Sequence, residues 1–114
     1  MTVLVTGGAG MVGRHLKDIS PDYIYLSRKD CDLTKYDEVE KVFKFYKPTN
    51  IIHLAAKVGG ILQNIKFPAD FYDANIMMNS NVLIAAKKLK EINPQTKIKT
   101  YKKALTMILN RSST

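Results

Sequence analysis

The residues of this chain best suited to chemistry lie in one run, Val3-Leu4-Val5-Thr6-Gly7-Gly8-Ala9-Gly10-Met11-Val12-Gly13. Apolar β-formers lead straight into a glycine-rich turn, and the turn leads into a helix-forming stretch. Glycine is needed where such a chain turns tightly, where backbone approaches a pyrophosphate, and where the new helix lies close on the strand. The helix N-terminus then offers free N–H groups and partial positive charge to phosphate oxygens. This is the chemistry of holding a dinucleotide. Two registers fit: Gly8, Gly10 and Gly13 match G-x-G-x-x-G, while Thr6, Gly7, Gly10 and Gly13 match the more specific T-G-x-x-G-x-x-G. A glycine loop without a ligand is the competing reading.

A second signal stands about 20 positions beyond the turn, where an acidic residue usually accepts hydrogen bonds from the ribose of NAD. Here Tyr23-Ile24-Tyr25-Leu26 ends in Ser27-Arg28-Lys29. A guanidinium at that place can bind a 2′-phosphate, which favours NADP over NAD. Arg28 and Lys29 as ordinary loop charges is the alternative. His53 has no Cys, His or carboxylate at metal-ligand spacing and reads as an imidazole satisfied within the fold. Cys31, among polar residues, reads as a small, partly buried side chain, and no metal site is expected.

The elements that must position these residues follow from periodicity. A helix is predicted from about Met11 to Asp18, before Ser20-Pro21, because proline disfavours helix at the preceding residue. Tyr23–Leu26 is the second strand. Thr34 can cap a helix with Asp37 completing a capping box, and Tyr36, Val39, Phe43 and Tyr46 share one face of it up to Lys47-Pro48. Asn50-Ile51-Ile52-His53-Leu54-Ala55-Ala56 is an apolar run suited to a parallel strand buried on both faces. Lys57-Val58-Gly59-Gly60 opens a loop at its carboxyl end, the edge where open α/β sheets bind ligands. A helix from about Ala69 to Lys90 carries the stripe Phe71, Ala74, Met78, Val82, Ala85 and Leu89, with Asn75 and Asn79 on a neighbouring face. Three strands alternating with three helices make half of a doubly wound parallel sheet. After Pro94, Ile98, Tyr101, Leu105, Ile108 and Leu109 recur at helical spacing among lysines, which predicts a basic amphipathic helix or a tail with helical bias.

The 114 residues leave room for one small domain, and 46% hydrophobic residues permit a packed core. No apolar run is long enough to span a membrane, and no secretory leader is apparent. A lone cysteine suits a reducing, cytoplasmic setting. The net charge of +8 is local: residues 1–86 hold ten Lys/Arg against nine Asp/Glu, and residues 87–114 hold eight against one. The division expected is therefore residues 1–90 as a cofactor-binding unit and residues 91–114 as a basic segment, helical or partly disordered.

Together, Thr6–Gly13, Arg28 with Asp32-Leu33, His53-Leu54-Ala55-Ala56-Lys57-Val58-Gly59-Gly60-Ile61, Asn64, Pro68–Phe71 and Asn75-Ile76-Met77-Met78-Asn79-Ser80-Asn81-Val82-Leu83 resemble the GDP-L-fucose synthases. These are NADPH-dependent 3,5-epimerase/4-reductases of GDP-4-keto-6-deoxymannose within the extended short-chain dehydrogenase/reductases. The likeness covers about residues 3–88, well under half of the family's usual length. It implies an NAD(P)-binding Rossmann fold with NADP as cofactor. Gly7, Gly8, Ala9, Gly10, Met11, Val12 and Gly13 would cradle the pyrophosphate and Arg28 would face the 2′-phosphate. Asp32 and Leu33 would border the adenine, Leu54, Ala55 and Ala56 would line the adenosine side, and Asn75 would support the site from behind. Val58, Gly59 and Gly60 would lie toward the nicotinamide and the sugar.

The departures bear on mechanism. The family's chemistry needs a Ser after the fourth strand, a Tyr and a Lys four residues apart on one helix, and a Cys and a His for epimerisation. Tyr25 and Lys29 have the spacing but straddle a strand end, and Tyr101-Lys102-Lys103 lacks it, so no residue is assigned a catalytic role. The expectation is a truncated three-stranded half-Rossmann unit that binds NADP(H), inactive alone, and takes a nucleotide-sugar only if completed. Its first strand is expected as a bare edge that associates with itself or a complementary chain. A non-catalytic NADP-sensing module and a basic-tail anion or nucleic-acid binder are the alternatives; no recognisable nucleic-acid motif supports the latter.

Overall fold

The computed structural model describes residues 1–55 and 68–100, of which 68–73 and 100 are described through their backbone alone. Its elements in chain order are β1 (Val3–Thr6), α1 (Met11–Ile19), β2 (Ile24–Leu26), α2 (Tyr36–Tyr46), β3 (Asn50–His53), α3 (Pro68–Ile92) and β4 (Lys97–Thr100). The strands form one parallel sheet in the order β2-β1-β3-β4.

Alternation along β1 explains the layering. Val3 and Val5 join Leu16 of α1, Ile52 and Leu54 in one core, while Leu4 joins Phe43 and Val39 of α2, Ile51, and Val82, Ala85 and Ala86 of α3 in the other. Successive side chains of a strand point to opposite faces, so a wholly buried strand between two helical layers must be apolar at nearly every position. All four residues of β1 are buried, including the polar Thr6. Cys31 is buried in the α2/α3 core.

Three expectations are corrected. First, the sheet has four strands, because Lys97–Thr100 is extended where a helix is expected. Ile98 pairs in register with Ile51 and packs against the core, while Lys97 and Lys99 remain exposed. Residues 101–110 of that expected helix lie outside the described residues. Second, β1 is no edge. It pairs with β2 on one side and β3 on the other, since β3 itself crosses to the free side of β1. The edges are β2 and β4, so the self-association expected through a bare first strand lacks that edge. Third, α2 is capped by Lys35 without a side-chain cap bond. The hydroxyl and N–H of Thr34 both donate to Asp32 Oδ1, at 2.6 and 3.0 Å, and Glu38 rather than Asp37 reaches back, accepting the Asp32 N–H at 3.2 Å. No helix among the described residues is long and apolar enough to cross a membrane.

Candidate functional site

Between β1 and β3 the strand order reverses direction, and in open α/β sheets ligands bind in the crevice at that point, outside the carboxyl ends of the strands. A cleft of about 470 Å3 opens there. The end of β1 and its turn supply Thr6, Gly7, Ala9 and Gly10, the end of β2 supplies Leu26, Ser27 and Arg28, and the next loop supplies Cys31, Asp32, Leu33 and Thr34. Leu54 and Ala55 come from the end of β3, and Ala74 and Met78 from α3.

The glycines divide the work of building this cleft. Gly7 turns with φ +69°, and a Cβ there would sit 2.7 Å from the Ala55 nitrogen, so only glycine lets the turn pass so close to the end of β3. A Cβ on Gly13 would fall 2.6 Å from the Gly7 carbonyl oxygen and 2.7 Å from that of Gly8, which is how closely α1 packs on the turn. Gly10 meets only the Gly7 oxygen, at 3.3 Å, and its open side lies on the cleft. As the N-cap of α1 it offers no side-chain acceptor, and the first turn carries no acidic residue. The orphan N–H groups and the positive end of the helix are thus left for an anionic ligand.

Opposite, the turn after β2 is tied by Asp30, whose carboxylate accepts from the Ser27 N–H at 2.8 Å and the Ser27 hydroxyl at 3.0 Å. Those bonds hold the Asp30 carboxyl below the usual range, the backbone bond contributing most. Arg28 and Lys29 occupy the exposed tip. Asp32 is likewise held low by the Thr34 hydroxyl first and the Thr34 N–H second, with smaller help from Lys35 and Arg28. Burial first, then the negative charges of Glu38, Asp32 and Asp30, push the Cys31 thiol up to about 11, so it lines the cleft as a neutral group.

Of the expected residues, Gly7, Ala9, Gly10, Arg28, Asp32, Leu33, Leu54 and Ala55 meet at the cleft. Gly8 is buried against Tyr25 and Gly13 beneath the turn. Met11 is exposed at the start of α1, Val12 packs on the α1-side core, and Asn75 is half-buried on α3 next to Ala74. Ala56, with Val58, Gly59 and Gly60, lies outside the described residues. Ser27, Cys31, Thr34, Ala74 and Met78 line the cleft without having been singled out for it; the i, i+4 spacing of Ala74 and Met78 on one stripe was the available signal. His53 is buried, with Nδ1 2.7 Å from Thr6 Oγ1 and Nε2 2.7 Å from Asn79 Oδ1, so both nitrogens are satisfied within the fold.

The family model for the NAD dependent epimerase/dehydratase family matches residues 3–100. The GDP-L-fucose synthase of Dictyostelium discoideum is 40% identical over 98 residues, covering 80% of this chain and 31% of that protein. The probable GDP-L-fucose synthase of Drosophila melanogaster is 43% identical over 91 residues, covering 74% of this chain and 28% of that one. Among solved structures, a GDP-L-fucose synthetase from Naegleria fowleri bound to NADP aligns with a TM-score of 0.69 at 36% identity, covering 77% of this chain and 28% of that chain. The chain spans less than a third of the length of these relatives.

Proposed function

The chain belongs to the NAD dependent epimerase/dehydratase family, and from that premise we propose that its cleft binds NADP(H) as the cofactor-holding part of a GDP-L-fucose synthase-like epimerase/reductase. The observation that carries this is the meeting of an uncapped α1 N-terminus, the open side of Gly10 and the Arg28 turn around one cleft. Gly7 to Gly13 form the turn that holds the pyrophosphate: Gly8 and Gly10 spend their N–H groups on Leu26 and Gly7 in shaping it, and the free N–H groups at the start of α1 face the ligand. Arg28 takes the 2′-phosphate, Asp32 and Leu33 border the adenine, and Leu54 and Ala55 line the adenosine side. Asn75 supports the site from α3. The cofactor, when bound, supplies a hydride to a keto sugar; the substrate is a GDP-linked sugar, as in the names of the relatives.

These 114 residues provide the site and not the proton chemistry. Their one Tyr-x-x-x-Lys spacing, Tyr25 and Lys29, straddles the end of β2. The Tyr25 hydroxyl donates to the Ser20 carbonyl at 2.7 Å, and burial, then Tyr23, pushes its pKa up to about 12. Such a phenol is turned away from the cleft and is a poor acid. The chain alone therefore binds cofactor without turnover, and a single cysteine, unable to make an internal disulfide, suits a cytoplasmic setting.

Titration of NADPH and NADH against the protein tests this reading. NADPH should bind more tightly and raise Tm, and Arg28→Ala should weaken NADPH by about 10- to 100-fold, the worth of a charge-assisted phosphate contact, while leaving NADH unchanged. Absence of NADPH binding would overturn the assignment of the cleft. An unchanged NADPH/NADH ratio in Arg28→Ala would overturn that of Arg28.

A further inference from the structure

Beneath the cleft runs a chain of hydrogen bonds from α3 to the ends of both strands that form the crevice. Asn79 Oδ1 lies 2.7 Å from His53 Nε2, and His53 Nδ1 lies 2.7 Å from Thr6 Oγ1. Thr6 Oγ1 in turn accepts the N–H groups of Leu54 at 3.1 Å and Ala55 at 3.2 Å. The donors can be assigned from capacity alone. An amide oxygen only accepts, so Nε2 carries the proton; Nδ1 is then bare and must accept from the Thr6 hydroxyl. That leaves the hydroxyl oxygen with two lone pairs for two N–H groups, of which the Leu54 N–H is shared with the Thr6 carbonyl at 3.2 Å. The opposite tautomer would aim an N–H at an oxygen already accepting two, and would strand the hydroxyl proton.

We propose that Asn79, His53 and Thr6 are positioning residues that fix the ends of β1 and β3 at the cleft floor, and that protonation of His53 breaks this chain and weakens cofactor binding. The inference rests on the reading of the cleft as an NADP(H) site. An imidazolium has donors on both nitrogens, so Nδ1–H would meet an oxygen whose lone pairs are taken, and either that bond or the hydroxyl's grip on an N–H group is lost; Leu54 keeps the Thr6 carbonyl, so Ala55 bears the change. Leu54 and Ala55 line the cleft, and the Ala55 nitrogen is the atom against which Gly7 is pressed. The surroundings do not favour the charge. The groups that meet the ring, Thr6 from β1 and Asn79 from α3, are uncharged. Its register partner on β4 is Thr100, and Lys99 belongs to the opposite pleat with Ile52. Among the described residues, the titratable side chains of the cleft are Arg28, Asp32 and the neutral Cys31. The imidazole pKa is lowered by burial, against which the bond to Asn79 acts in part, and no charged group among the described residues contributes a shift.

The test is the pH profile of NADPH affinity between pH 8 and 5, for the wild-type chain and Asn79→Asp, with backbone amide exchange of Leu54 and Ala55 followed in the cofactor-free protein. Asn79 is exposed, so the variant keeps the core intact while placing a carboxylate beside Nε2, which raises the imidazole pKa. The wild type should lose affinity only toward the acid end of this range, because burial lowers the imidazole pKa, by up to about five- to tenfold, the worth of one hydrogen bond. In Asn79→Asp the loss should begin at higher pH, and the protection of the Ala55 amide should fall over the same shifted range, more than that of Leu54, which keeps the Thr6 carbonyl. The 2′-phosphate titrates near pH 6 as well, but identically for both proteins, so the displacement between the two profiles is the decisive reading. Coincident profiles and unmoved amide protection would overturn the proposal. Shifted amide protection without NADPH binding at any pH would leave the positioning chain standing and overturn the cofactor reading instead.

Discussion

At the scale of single residues, three glycines of one turn differ in what they would tolerate. Gly13→Ala drives a methyl to within 2.6 and 2.7 Å of two backbone oxygens, which have no flexible end to move aside. Overpacking of this kind costs about 1–3 kcal/mol, to be seen as a lower urea midpoint at unchanged slope. Gly10→Ala meets a single backbone oxygen at 3.3 Å, so its urea midpoint should fall less than that of Gly13→Ala while NADPH affinity falls, because the methyl occupies the open side that faces the cleft. Equal loss of stability in both variants would contradict this division. The need for glycine here was legible in the sequence, since a strand, a tight turn and a helix within eleven residues leave few other geometries. Which glycine serves folding and which serves the ligand was not, because Gly7 is pressed by Ala55, a residue 48 positions away whose approach is set by the pairing of β1 with β3.

At the scale of elements, the turn that ends β2 presents Arg28 through a tie that the reading of Arg28 as a lone charge passes over. Ser27 and Asp30 clamp the two ends of Arg28-Lys29 through three bonds: two to the Asp30 carboxylate and the Asp30 N–H to the Ser27 carbonyl at 3.1 Å. Asp30→Ala removes two of them and frees the tip. NADPH should then bind about three- to tenfold more weakly, less than in Arg28→Ala, with NADH unaffected, since only orientation is lost. Paired NADPH and NADH titrations check it; an unmoved ratio would mean that Arg28 finds its phosphate without the clamp. Elements with one strong period were readable: α2 from Tyr36, Val39, Phe43 and Tyr46, and α3 from the stripe that now holds Val82, Ala85 and Leu89 in or at the core. β4 was not. Ile98 fits a helical spacing with Tyr101 and Leu105 and equally a two-residue alternation between Lys97 and Lys99, and what decides between them is Ile51 waiting across the sheet. Pairing between distant segments, absent from local sequence, also hid the placement of β3 beside β1. With β1 enclosed, the sheet's exposed edges fall to the short β2 and to β4, where lysines discourage edge-to-edge association.

For the molecule as a whole, the buried chain beneath the cleft and the carboxylates around it predict how stability responds to acid. His53 has its pKa lowered by burial in the folded state, whereas in the unfolded chain it titrates near its ordinary value of about 6.5. Between those values the unfolded chain holds a proton that the native one lacks, and stability rises with pH wherever that is so. The contribution of His53 is therefore complete above about pH 6.5 and declines as pH falls below it, levelling once the native imidazole is also protonated. Asp30, Asp32 and Glu40 have the opposite ionic form and the same direction. Their folded pKa values are lowered, chiefly by bonds from Ser27, Thr34 and Lys44 respectively, so the stability they add is full above the unfolded carboxylate range near 4 and is lost as pH drops through the folded values. Urea melts from pH 8 to 3 should thus show a plateau, a first decline beginning near pH 6.5 and a second below about 4. A midpoint that stays level from pH 7 to 5 would show that burial of the neutral imidazole does not couple to folding, and would remove the energetic basis for a pH-sensitive cleft floor.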